Sequence, residues 1–97
     1  MNEDELLEAL RRTGLATHVA MSTWADSAQL LSALDAIGRN GANALVKIDG
    51  GRDTPHSYTV ALSGGRLGDD FFRKDGAELR PLLLEAIGFY LSHADGL

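Results

Sequence analysis

Asn43-Ala-Leu-Val-Lys-Ile-Asp49, then Gly50-Gly-Arg-Asp-Thr-Pro-His56, then Ser57-Tyr-Thr-Val-Ala-Leu-Ser63: the fold turns on how this stretch is read. Two β-rich runs flank a cluster of Gly, Asp and Pro, the signature of a hairpin. With a side-chain period of two, Ala44, Val46 and Ile48 share one face, and Leu45 and Lys47 the other. In the second run Tyr58, Val60 and Leu62 lie opposite Thr59 and Ala61. One apolar face and one mixed face predict a sheet covered by helices on one side.

Helical patterns lie on both sides of the hairpin. Upstream, Thr23 and Asp26 have capping-box spacing, and Leu30, Leu31, Leu34 and Ile37 recur as a core-facing stripe. Gly38-Arg-Asn-Gly41 is read as the end of that helix, because it supplies residues that tolerate positive φ. Downstream, Leu79, Leu82, Leu83, Ala86, Ile87 and Tyr90 form the longest helical period in the chain. They predict a helix over 77–92. Asp75 and Glu78 are in capping-box positions before it, and Pro81 requires either a start at N1 or an irregular first turn. Between hairpin and helix, residues 64–74 read as a Gly-rich loop with at most one helical turn that buries at least one of Phe71 and Phe72.

At the N-terminus, Asn2 and Glu5 form a capping box. Glu3, Asp4 and Glu5 suit the positive end of a helix dipole, and Arg11 and Arg12 the negative end. A helix is expected over 3–13, with Leu6, Leu7 and Leu10 as a narrow apolar stripe. So short a stripe suits a peripheral element that docks on its own sheet or on a second subunit. Leu15 to Ser22 alternates with period two and is read as a strand. Residues 94–97 are expected to fray.

The expected fold is a small α+β domain over residues 1–97, a two-layer α/β sandwich. Its order is helix, strand, helix, strand, strand, helix. A right-handed crossover would set the strands at 15–22 and 43–49 parallel, and the hairpin would return antiparallel, giving a three-stranded mixed sheet with helices mainly on one face.

Composition narrows function more than any motif does. The 97 residues suit one core, and the apolar (44%) and charged (24%) fractions are those of a globular protein. A net charge of −5 opposes phosphate backbones, so no nucleic-acid partner is expected. The absence of cysteine removes disulfides, thiolate metal sites and cysteine nucleophiles. An acidic N-terminus and no long apolar run lead to the expectation of a soluble, cytoplasmic protein with no membrane partner.

Two readings of the chemistry follow. The first is a non-catalytic interaction module, like many small acidic bacterial accessory proteins in type alone, with a protein partner or a homodimer and with Trp24, Phe71, Phe72, Leu6 and Leu10 as contact residues. The second is a site for a small anionic ligand, or an enzyme, at the N-terminus of the helix after Thr23, with Arg52 and His56 reaching it from the hairpin loop. No catalytic residue, metal ligand or cofactor is assigned. Adjacent His56 and Ser57 would point to opposite faces of a strand, and the Gly-rich 63–68 segment matches no phosphate-binding pattern.

Overall fold

The computed structural model describes residues 1–13, 27–51 and 57–93. The expected strand at 15–22, the hairpin loop over 52–56 and the tail at 94–97 lie outside the described residues, as do Thr23, Trp24, Arg52 and His56. Three α-helices and three strands follow in the order α1 (Glu3–Arg12), α2 (Ala28–Arg39), β1 (Ala42–Ile48), β2 (Tyr58–Gly64), β3 (Phe71–Gly76) and α3 (Leu79–His93), with a 3-10 turn at Gly65–Leu67.

The hairpin forms in the register that its alternation requires. Ala44 pairs with Leu62, Val46 with Val60 and Ile48 with Tyr58, so the apolar positions of both strands share one face. Asp49 N–H donates to Ser57 O at 2.7 Å where the strands part. The sheet as a whole corrects the expectation. Its order is β1-β2-β3 and both pairings are antiparallel, so the described sheet is not mixed.

The third strand is Phe71–Gly76, in a segment read from sequence as loop. The chain turns back through Gly64, Gly65 and Gly68, all at positive φ, and Leu67 is buried beneath the turn. Gly65 also packs against β1: a Cβ there would stand 2.8 Å from Gly41 C and Ala42 N. Only glycine meets both demands, and the connection it permits brings the chain back beside β2.

Helix α2 packs over β1, α3 over β2 and β3, and the two helices touch each other. Leu34 and Ile37 of α2 meet Val60 and Leu62 of the sheet and Leu79, Leu82, Leu83, Ala86 and Tyr90 of α3 in one core. Each large apolar side chain so buried contributes about 1.5–3 kcal/mol of transfer free energy. Asn40 Nδ2 donates to the Tyr90 hydroxyl at 3.4 Å, tying the end of α2 to α3.

The Gly38–Gly41 segment ends α2 as expected: the helix runs to Arg39, Asn40 caps it and Gly41, at φ +104°, turns the chain into β1. Two local readings change. Helix α3 starts at Leu79, which puts Pro81 in its first turn as the third residue. The first N–H groups of a helix have no intrahelical acceptor, so proline forfeits no bond there. Asp75 is not a cap but a strand residue, and its carboxylate accepts from Thr59 Oγ1 at 2.5 Å. The expected cap of α1 forms: Glu5 N–H donates to Asn2 Oδ1 at 2.8 Å.

Candidate functional site

The two faces of the sheet are occupied very differently. Inward-facing Val60 and Leu62 lie under α2 and α3. On the opposite face the strand register aligns three rows: Asn43–Ser63–Phe71, Leu45–Ala61–Arg73 and Lys47–Thr59–Asp75. Leu45 is 55% exposed and Phe71 68% exposed, with Ala61 half-buried beside Leu45 in the central row. Among the described residues nothing covers these two side chains.

This outer face carries Leu45 and Phe71 on its edge strands with charged side chains next to them. Lys47 and Arg73 are exposed; Arg73 stands 3.9 Å from Asp75 Oδ1, and Lys47 Nζ stands 3.8 Å from Asp49 Oδ2. Exposed pairs at such separations are held weakly, so both cations can turn to another acceptor. Thr59 is the exception on this face. It is buried, and its hydroxyl donates to Asp75.

Helix α1 carries a second uncovered apolar surface. None of its residues is buried, and Leu6 (53%) and Leu10 (36%) are exposed. Arg11 and Arg12 lean on Glu8 at 3.5 and 3.8 Å, while among the described residues Glu3 and Asp4 have no ion-pair partner. Of the five contact residues expected from sequence, Leu6, Leu10 and Phe71 are thus presented to solvent. Phe72 is not: it turns inward, packs against the core and sets its ring 5.6 Å from that of Phe89. Trp24 lies outside the described residues, as do all three residues of the ligand-site reading, Thr23, Arg52 and His56.

Leu45 was not among the expected contact residues. Its signal lay in Ala44-Leu-Val46, where apolar residues fall on both faces of a strand. An antiparallel sheet with one solvated face would have placed a polar residue there.

Concavities among the described residues include one of about 350 Å³ along the polar side of α1, lined by Asn2, Glu5 and Glu8, and two beside the sheet. A shallow groove of about 600 Å³ runs between α2 and β1, lined by Leu31, Leu34, Ala42, Ala44 and Val46, with the Asp35–Arg39 ion pair (2.8 Å) at its lip. A smaller one of about 310 Å³ lies where β3 meets α3, beside the exposed Lys74–Glu85 pair (2.8 Å). No buried side-chain polar atom of the described residues lacks a hydrogen-bond partner, so none is left to receive a ligand in either groove. Among the described residues no group of three or more His, Asp or Glu side chains could hold a metal ion, and no helix is long and apolar enough to cross a membrane. His93 stacks on Phe89 with centroids 4.0 Å apart, and its Nδ1 lies 2.9 Å from Phe89 O and 3.1 Å from Ser92 Oγ.

In comparisons with known proteins, no family model, no curated protein and no solved structure matches the chain.

Proposed function

We propose that this chain is a non-catalytic protein–protein interaction module of the cytoplasm that works through its outer sheet face. The observation that carries this reading is the pairing of exposed Leu45 and Phe71 on a regular sheet surface with no covering element among the described residues. Large apolar side chains presented together by a rigid sheet, with charged side chains next to them, are the usual anatomy of a contact surface.

An amide NMR titration tests the reading. The protein is diluted from millimolar to micromolar, and is separately titrated with phosphates, nucleotides, carboxylates and divalent metals. Concentration-dependent shifts on residues 43–47, 59–63 and 71–75, with no saturable response to the small molecules, support an interaction module. Saturable shifts confined to residues 23–26 and 50–57 would replace it with the anionic-ligand site of Thr23, Arg52 and His56. In that case the double variant Arg52→Ala, His56→Ala would abolish the response.

A further inference from the structure

We propose that the occupant of the outer face is helix α1 of a second copy of this chain, exchanged reciprocally in a two-fold dimer. This rests on the interaction-module reading above and names its partner.

The molecule holds two incomplete surfaces that fit each other. Helix α1 offers Leu6, Leu7 and Leu10 with no residue buried, and the sheet offers Leu45, beside Ala61 in the central row, and Phe71, diagonal to Ala61 in the next row. Their dimensions agree. Ten helical residues span about 15 Å, and a patch that crosses three strands is about 10 Å wide.

The charges agree as well. Glu3 belongs to the leucine stripe by helical spacing, since it precedes Leu6, Leu7 and Leu10 by three, four and seven residues. It has no ion-pair partner among the described residues. Arg73 stands beside Ala61 in the central row of the sheet, with only the 3.9 Å contact to Asp75 holding it. A helix laid with its leucines over Ala61 brings Glu3 to the side where Arg73 projects. Arg73 is opposite in sign to the acidic first turn of α1, Glu3, Asp4 and Glu5.

Among the described residues nothing covers either surface, and Leu6, Leu10, Leu45 and Phe71 are all exposed. Exchange between two copies fills both at once. The contact is made twice about a dyad and closes without leaving a free surface to propagate.

Light scattering after size exclusion and sedimentation equilibrium, from micromolar to millimolar, test the proposal on the full chain. The wild type is expected to dimerise. Leu6→Gln with Leu10→Gln, and separately Leu45→Thr with Phe71→Thr, are each expected to weaken the dimer at least about tenfold. Because all four residues are exposed, far-UV circular dichroism should show both variants folded. Mixing the two variants supplies the wild-type helix from one and the wild-type face from the other, so a heterodimer with one of the two contacts should form. Arg73→Glu should weaken the dimer, and adding Glu3→Arg to the same chain should recover it.

A dimer indifferent to both pairs of substitutions would overturn the α1 assignment while leaving self-association standing. A mixture that stays monomeric would overturn exchange between copies. A wild type that is monomeric throughout would also overturn the proposal, and the interaction-module reading would then rest on the small-molecule titration alone.

Discussion

The two faces of one three-stranded sheet carry comparable side chains and meet different fates. Val60 and Leu62 are almost wholly buried, whereas Leu45 and Phe71, on the same strands' other side or a neighbour's, are more than half exposed. The hydrogen-bonded ladder is common to both faces, so the difference is made by what lies on top. On the inner face α2 and α3 bring matching apolar stripes; on the outer face no described element does. Apolar surface left in water on so regular a platform is what distinguishes a contact surface from an ordinary solvated one.

The sharpest way to break this comparison is to truncate both faces equally. Leu62→Ala should destabilise the fold by about 2–5 kcal/mol in urea denaturation, since the site is sealed by two helices and cannot collapse freely. Gly65→Ala follows, at about 1–3 kcal/mol, because φ +56° and the 2.8 Å approach to Gly41 and Ala42 both oppose a Cβ. An unchanged midpoint for Gly65→Ala would mean that the turn into β3 can move off β1.

Thr59→Val probes the one buried polar position of the outer face. It removes the hydrogen bond to Asp75 and should cost about 1 kcal/mol; a stabilised variant would show that the bond does not offset its desolvation. Asn2→Ala should remove a cap worth about 1 kcal/mol to α1. Because no α1 residue is buried, the expected readout is lost helicity at low concentration with the global midpoint unmoved. The smallest effect belongs to Phe71→Thr, within about 0.5 kcal/mol for the monomer. Should Phe71→Thr cost as much as Leu62→Ala in dilute solution, the outer face is covered within one chain and the asymmetry of the two faces disappears.

Much of the fold was legible because local pattern and burial agree. The hairpin register, the cap of α1, and the stripes of α2 and α3 all repeat with the period of the element that carries them. The strand β3 was not legible, and its residues explain why. Its inward positions are Phe72, Lys74 and Gly76, so only one is apolar. As an edge strand it lets Lys74 run out to Glu85, and Gly76 leaves room for Leu82, whose side chain would meet a Cβ at 3.1–3.2 Å. Neither substitution leaves a period of two to read. The contact residues divide the same way: Leu6, Leu10 and Phe71 stand exposed, while Phe72, identical in type and adjacent in sequence, is turned inward by the pleat.

By itself, the sequence determined the elements whose signal is local: the capped helix α1, the apolar stripes of α2 and α3, and a hairpin whose alternation fixes which face is buried. Only the tertiary structure decided that the third strand is Phe71–Gly76, that the described sheet is antiparallel, and that Leu45 and Phe71 stand exposed on one face. These depend on a glycine turn packing against β1 and on pairing between strands, which are relations between distant residues and leave no period along the chain.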